Sequence, residues 1–144
     1  VTKKIDDQIF NQDFYSIKTG KYTNDPSHGR WTTFFLEAKA NNALLNFIRR
    51  CFEIYSKKYD IFIDYILFDY FIDLAIDNND IFSKMILEVP YNNRDTFVLQ
   101  DILNEAFNVD FFKDNTYLYK LTYKKNFLSK TQNGELTFYG MLIK

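Results

Sequence analysis

The sequence predicts an α/β fold, with mixed strands and a central pair of helices. Three features predict it: short segments rich in aromatic and β-branched residues before position 38, a run with the 3.6-residue period of an amphipathic helix over residues 43–58, and a largely apolar helical run over residues 63–77. With 144 residues, of which 47% are hydrophobic, one domain with a buried core is expected.

The first part of the chain predicts strands joined by a polar loop. Residues 1–5 fit the end of a strand and residues 6–10 fit one helical turn. Residues 14–18 alternate with period two, which predicts a strand. A polar loop over residues 19–29 leads to residues 31–37, whose aromatic and β-branched side chains predict a buried strand.

Two helices follow. The first, over residues 43–58, has an apolar face and is preceded by two asparagines, Asn41 and Asn42, that suit an N-cap. The second, over residues 63–77, is apolar almost all round, which predicts a central position. Its aspartates Asp69, Asp73 and Asp77 have the i, i+4, i+8 spacing of one stripe, which we interpret as solvent-exposed and dispensable. Asp64 lies about 140° away from Asp69 on the same helix.

The last third predicts shorter elements. A helix over residues 80–87, capped by Asp80, ends before Pro90, and another over residues 97–105 is capped by Asp95 or Thr96. Residues 116–123 alternate like a strand. The pair Asn133 and Gly134 predicts a hairpin turn with arms over residues 127–130 and 136–143.

Composition excludes several classes of function. The net charge of −1 gives no electrostatic basis for a nucleic-acid partner. Cys51 and His28 are single residues of their types, so neither a disulfide within the chain nor a cysteine or histidine metal cluster can form, and the helix position of Cys51 predicts a buried thiol. No apolar stretch approaches the roughly 18 residues of a membrane span. The 19% aromatic content predicts exposed apolar surface that another part of a longer chain, a ligand or a second copy covers, which gives a homo-oligomer as one expectation.

Three residues at the start of the strand predicted over residues 31–37 are candidates for substrate binding. Arg30 follows a glycine there, and its planar fork of donors suits a diphosphate or carboxylate; the alternative is a surface salt bridge. Trp31 suits either core packing or stacking on a sugar ring. His28 is either a surface loop residue or a substrate contact at the mouth of the strand.

Asp64 is the candidate catalytic residue, because a carboxylate off the solvent stripe needs a hydrogen bond or a use. It is either an N-cap or a general base that activates an acceptor hydroxyl, with Tyr65 as its partner in acceptor binding. Further along, Asn92 and Asn93 suit either sugar hydroxyls or a turn, and Lys120 begins a basic run that suits either a phosphate or an exposed row of lysines.

Four blocks of the chain, taken in order, resemble the bacterial capsular polysaccharide synthesis family, a group of sugar transferases related to the GT-A fold. They are residues 27–35 (SHGRWTTFF), 38–45 (AKANNALL), 63–71 (IDYILFDYF), and 89–93 (VPYNN) followed by 99–100 (LQ) and 120–124 (KLTYK).

The resemblance implies the C-terminal part of a GT-A-like enzyme that moves a sugar from a nucleotide-sugar donor to a growing capsular or exopolysaccharide glycan. It also implies that the nucleotide-binding half, with a divalent cation, manganese or magnesium, held by an acidic motif, lies upstream of Val1. We therefore expect a fragment that is inactive alone, from a bacterial enzyme of the cytoplasm that meets the inner face of the cell membrane. The alternative is a non-catalytic module that binds a glycan or a protein.

Overall fold

The computed structural model describes residues 3–5, 7–20 and 23–144, in two compact units. Unit 1 comprises Val1–Ile5 and Asn93–Lys144, and unit 2 comprises Asp6–Asn92. The described residues form five α-helices, two 3₁₀ helices (Asp7–Asn11 and Val109–Lys113) and one two-stranded sheet, which confirms a mixed α/β class. Residues 3–5 form no strand, contrary to the prediction for residues 1–5, of which the first two lie outside the described residues.

The sheet lies in unit 2 and is shorter than predicted. Strands β1 (Phe14–Ser16) and β2 (Leu36–Ala38) pair antiparallel, with Phe14 opposite Ala38. The buried strand predicted over residues 31–37 is therefore wrong before Leu36. The Ser16 hydroxyl explains the difference, because it accepts a hydrogen bond from the Thr32 N–H at 2.9 Å and lies within hydrogen-bonding distance of the Thr32 and Phe35 carbonyls. These groups thus bond to a side chain rather than to a strand.

Helix α1 (Ala43–Ser56) confirms the amphipathic helix predicted over residues 43–58, ending two residues earlier, and helix α3 (Asp80–Leu87) confirms the helix predicted over residues 80–87. Asn42 caps α1: its Oδ1 accepts from the Leu45 N–H at 3.1 Å, while its Nδ2 donates to the Asp13 carbonyl at 2.7 Å. The cap of α3 is Asn79 rather than the predicted Asp80. Cys51 on α1 is half-buried rather than buried as predicted, and its partial burial raises the pKa of the thiol.

Helix α2 (Leu67–Asn78) begins four residues later than predicted. The Tyr55 hydroxyl, on α1, donates to the Ile61 carbonyl and accepts from the Ile63 N–H, each at 3.0 Å. These bonds hold the residues before α2 in a loop. Once formed, α2 packs against both α1 and α3. The core of unit 2 contains the fully buried residues Ile17, Trp31, Leu44, Ile48, Ile72 and Ile86.

Unit 1 contains α4 (Leu99–Ile102) and α5 (Phe138–Leu142). Its core consists of Leu99, Leu103 and Phe138, against which the aromatic residues Phe107, Phe111, Phe112 and Tyr119 pack. Helix α4 confirms only the middle of the helix predicted over residues 97–105 and has no side-chain cap.

Two strand predictions in unit 1 are corrected. Residues 116–123 form no strand, because the Asn93 Oδ1 takes the N–H groups of Tyr117 and Leu118 at 2.8 and 3.0 Å. The turn before Gly134 is confirmed, with a bridge between Lys130 and Leu136. Beyond it the predicted arm becomes α5, which Thr137 caps through the Gly140 N–H.

No helix in the described part of the chain combines the length and the apolar character needed to cross a membrane.

Candidate functional site

The loop before β2 is built from short-range hydrogen bonds that reverse the chain. The Asp25 Oδ1 accepts from the Ser27 N–H at 2.9 Å, and the Ser27 hydroxyl accepts from the Gly29 N–H at 3.1 Å. His28 and Gly29 both have left-handed backbone angles, with φ of 48° and 76°. Because two successive residues adopt this conformation, the chain turns sharply just before Arg30 and Trp31.

Arg30 is held on three sides. Its Nε donates to the Ser27 carbonyl at 2.9 Å, and its Nη2 donates to the Pro26 carbonyl at 2.8 Å and to the Asp73 Oδ1 on α2 at 2.5 Å. The guanidinium also lies over the Trp31 ring, 4.8 Å from its centroid. The side chain keeps 23% of its exposure, and in the described part of the chain no hydrogen bond to Nη1 is found. Arg30 is therefore fixed in position while part of its side chain remains exposed.

Trp31 is 1% exposed, so it packs in the core, which supports core packing over stacking on a sugar ring. Its indole Nε1 donates to the Asp69 Oδ1 at 2.7 Å. Burial raises the pKa of the Asp69 carboxyl and the nearby charge of Asp25 adds to this, against the opposing effect of the Trp31 hydrogen bond. The arrangement leaves a desolvated carboxyl beneath Arg30 and Trp31.

The solvent stripe predicted on α2 is thus wrong for two of its three aspartates. Asp69 is buried, and Asp73 is half-buried in the ion pair with Arg30; only Asp77 is exposed. The periodicity correctly placed the aspartates on one side of the helix. The loop of residues 23–31 contacts that side, and no local signal in α2 indicates this contact.

Lys18 is a second cation at this site, and sequence reasoning missed it. Its side chain is nearly buried, its Nζ donates to the Leu87 carbonyl at 2.9 Å, and it lies over the Tyr91 ring at 5.0 Å. Burial lowers the pKa of the Lys18 ammonium, and the charge of Arg30 lowers it further. Among the described residues no carboxylate forms an ion pair with Lys18. A desolvated cation of this kind favours an anion nearby.

Asn92 lies beside Lys18. Its N–H donates to the Lys18 carbonyl at 2.9 Å, and its Nδ2 donates to the carbonyls of Ser16 and Pro90. Its buried Oδ1 has no hydrogen-bond partner in the described part of the chain. Together Lys18, Arg30, Trp31, Asp69 and Asp73 form what we call the Arg30 cluster, with Asn92 at the backbone of Lys18.

The structure places the other predicted site residues elsewhere. Asp64 is exposed in the loop before α2, where its Oδ1 accepts from the Ile66 N–H at 3.0 Å, so it neither begins the helix nor lies on its apolar face. Tyr65 beside it is completely exposed. Both line a 530 Å³ pocket with Phe52, Phe62, Ile63, Leu67 and Phe68. No contact between these two residues and the Arg30 cluster is found among the described residues.

The remaining candidates divide between the units. His28 is exposed in the loop of unit 2, with Nδ1 3.2 Å from the Thr23 carbonyl. In unit 1, Asn93 is buried and its side chain holds the backbone of residues 117–118, which supports the turn alternative. Lys120 is exposed there, and its N–H donates to the Thr96 carbonyl at 2.8 Å.

The described side chains do not form a metal-binding site. Within residues 3–5, 7–20 and 23–144, no group of three His, Cys, Asp or Glu side chains comes together to hold a metal ion. The divalent cation expected from the resemblance therefore has no ligand set among them.

One comparison with known proteins gives a match. The family model for capsular polysaccharide synthesis proteins matches residues 1–142, nearly the whole chain. No curated protein and no solved structure gives a significant match.

Proposed function

The chain belongs to the capsular polysaccharide synthesis family, and from this membership we propose that it serves a glycosyltransferase that moves sugar from a nucleotide-sugar donor to a growing capsular glycan. Membership of the family assigns the protein to capsular polysaccharide synthesis. The donor class, the transfer reaction and a GT-A-like fold are proposals. Their support comes from the order of sequence blocks described above and from the chemistry of the Arg30 cluster.

The fixed guanidinium of Arg30 is the observation that carries the proposal. Arg30 presents a partly exposed guanidinium fixed by three hydrogen bonds, one of them to Asp73, and it is close enough to Lys18 for the two positive charges to interact. Guanidinium groups bind phosphate oxygens through two parallel hydrogen bonds. A diphosphate, the charged centre of a nucleotide sugar, fits this chemistry. When it binds, Asp73 either leaves the guanidinium of Arg30 or shares it with the diphosphate.

The roles of Asp64 and Tyr65 stay predictions. The bond between the Asp64 carboxylate and the Ile66 N–H supports the structural alternative, and its exposure leaves the carboxylate accessible to an acceptor hydroxyl. His28 and Lys120 are likewise exposed and stay candidate substrate contacts.

The test measures binding of UDP- and GDP-sugars, and of inorganic diphosphate, by titration calorimetry. Arg30→Ala should weaken binding about 10- to 100-fold, the effect of losing charge-assisted hydrogen bonds. Lys18→Met keeps the buried stem while removing the charge, so it should weaken binding without unfolding unit 2. Arg50→Ala is the matched control, since Arg50 is exposed on α1 and pairs with Glu53.

Equal affinity in Arg30→Ala and the Arg50→Ala control would contradict the proposed site. The alternative of a non-catalytic module predicts that the protein binds a capsular glycan but that neither donor diphosphate binding nor nucleotide release depends on Arg30.

A further inference from the structure

The Tyr91 side chain is exposed on a fixed backbone. It keeps 74% of its exposure, while hydrogen bonds hold the residues on both sides of it. The Asn92 N–H donates to the Lys18 carbonyl at 2.9 Å, and the Asn92 Nδ2 donates to the Ser16 carbonyl at 3.1 Å. The same Nδ2 donates to the Pro90 carbonyl at 2.9 Å. A residue that is already ordered in this way loses less conformational freedom when a ligand binds.

Two contacts also fix the Tyr91 ring itself. Gly20, with a φ of 73°, approaches the ring so closely that a Cβ there would lie 3.2 Å from the Tyr91 Cδ1. The Lys18 ammonium lies over the ring, 5.0 Å from its centroid. Because the side chain nevertheless keeps 74% of its exposure, most of the ring surface is open to a ligand.

Tyr91 lies beside the Arg30 cluster. Lys18, whose ammonium lies over the Tyr91 ring, is a member of that cluster. Ser16 gives a second connection: its carbonyl accepts from the Asn92 side chain at 3.1 Å, and its hydroxyl accepts at 2.9 Å from the N–H of the residue two positions after Arg30. Unit 2 therefore presents the aromatic ring and the guanidinium from neighbouring segments.

The chemistry of a nucleotide sugar indicates which of its parts meets this ring. The sugar is bonded directly to the diphosphate, whereas the ribose separates the base from it. An aromatic ring beside a diphosphate site is therefore closer to the sugar than to the base. The faces of a pyranose ring carry C–H groups, and these weakly positive, apolar faces pack well on the negative face of an aromatic ring.

We propose that Tyr91 is the platform on which the sugar ring of the donor stacks while Arg30 holds the diphosphate. The assignment rests on the proposed function, and it adds a residue that contacts the sugar rather than the phosphates. Lys18, Gly20 and Asn92 position Tyr91 for this contact.

The test measures the affinity of the whole chain for UDP-glucose, UDP-galactose and GDP-mannose, and for UDP, GDP and inorganic diphosphate, by titration calorimetry. At least one nucleotide sugar should bind the wild type more tightly than its parent nucleotide does. Tyr91→Ala should weaken the binding of that nucleotide sugar about 3- to 10-fold, the effect of one stacked ring, and leave the affinity for UDP, GDP and diphosphate unchanged. Tyr91→Phe keeps the ring and should bind as the wild type does, whereas Arg30→Ala should weaken the binding of every ligand.

Tyr59→Ala is the matched control, because Tyr59 is an exposed tyrosine of the same unit whose ring packs on one neighbour, Tyr55, at 4.9 Å. It should bind every ligand as the wild type does, and circular dichroism checks the fold of each variant.

Three results overturn the assignment of Tyr91: a wild type for which the sugar adds no affinity, equal binding of nucleotide sugars by Tyr91→Ala and Tyr59→Ala, or a Tyr91→Ala variant that binds UDP and GDP as weakly as the nucleotide sugars. The last result would assign the ring to the base. Diphosphate binding that does not depend on Arg30 would instead contradict the proposed function, and the donor assignment of Tyr91 with it.

Discussion

Among single residues, Asp69 has the most informative environment. Its carboxyl is buried, and its Oδ1 accepts a hydrogen bond from the indole N–H of Trp31. Burial raises its pKa above the ordinary value of 3.8, so the folded state holds this proton more tightly than the unfolded state. Stability therefore falls as the pH rises from 3.8 through the raised pKa, and stays lower above it.

We predict that Asp69→Asn becomes increasingly favourable, relative to the wild type, as the pH rises from below 3.8 to neutral. Asparagine keeps an oxygen for Trp31 but carries no charge that burial penalises. Asp69→Ala removes the acceptor as well as the charge, so it should be less stable than Asp69→Asn by about 1–3 kcal/mol at every pH. Thermal melting across a pH series measures both effects.

Asp77→Asn serves as the surface control for this series and should change stability by less than about 0.5 kcal/mol. A difference between Asp69→Asn and the wild type that stays constant with pH would show that desolvation of the carboxyl does not matter.

Among the secondary-structure elements, those predicted from signals within a short stretch of sequence agree best with the structure. Helices α1 and α3 and the turn at Gly134 follow from periodicity, caps and turn residues within a few positions of one another. Three of the missed segments instead have a side chain from outside the segment bonded to their backbone: Ser16 to the residues before β2, Tyr55 to those before α2, and Asn93 to residues 117–118. Such bonds depend on tertiary structure, which a pattern within a short window does not contain.

We predict that Tyr55→Phe loosens the residues before α2. The change removes the hydroxyl that bridges Ile61 and Ile63 but keeps the ring that packs on Phe62. It should cost about 0.5–1.5 kcal/mol per hydrogen bond lost and speed hydrogen exchange at the Ile63 amide. Exchange measured by NMR or mass spectrometry reports this directly.

Tyr59→Phe is the matched control, because the Tyr59 ring packs on Tyr55 while its hydroxyl bonds to no described residue. If the Ile63 amide exchanges at the same rate in both variants, the Tyr55 bridge does not hold the loop.

For the whole molecule, each unit has a core of its own, and the cores differ in kind. Unit 2 buries mainly aliphatic residues around Trp31, whereas unit 1 surrounds Leu99, Leu103 and Phe138 with aromatic rings. The Phe138 ring lies 5.3–5.9 Å from those of Phe107, Phe111 and Phe112, in edge-on geometry. Much of the aromatic content that the sequence analysis assigned to exposed surface is therefore used within unit 1.

We predict that Gly140→Ala destabilises the protein by about 1–3 kcal/mol, because a Cβ there would overlap the backbone of Ser129. Helix propensity alone would favour alanine in α5 by about 1 kcal/mol, so a loss of stability identifies the close packing as the dominant effect. Urea denaturation gives the free energy of unfolding.

Gly134→Asn is the comparison. The turn at Gly134 has a φ of 84° and open space around it, and asparagine tolerates this backbone, so the change should cost less than about 0.5 kcal/mol. A Gly140→Ala variant as stable as the wild type would mean that Ser129 moves aside freely.

The candidate site was only partly predictable for the same reason as the elements. Arg30 was identified from its position after a glycine. Its two interpretations, substrate binding and a surface salt bridge, both give the guanidinium an anionic partner, a phosphate or a carboxylate. Asp73 and Asp69 were assigned to solvent because their spacing shows which residues share a face but not what covers that face. Lys18 was overlooked because its importance comes from its burial and from the charge of Arg30, which lies twelve positions further along.

The position of Trp31 has a practical consequence. It is the single tryptophan of the chain, and its indole touches both the guanidinium of Arg30 and the carboxyl of Asp69. The protein thus carries an intrinsic fluorophore at the centre of the Arg30 cluster. Its emission, excited at wavelengths where tyrosine does not absorb, reports a change in the position of Arg30 or in the protonation of Asp69. A ligand that reaches Arg30 can be followed optically without a label.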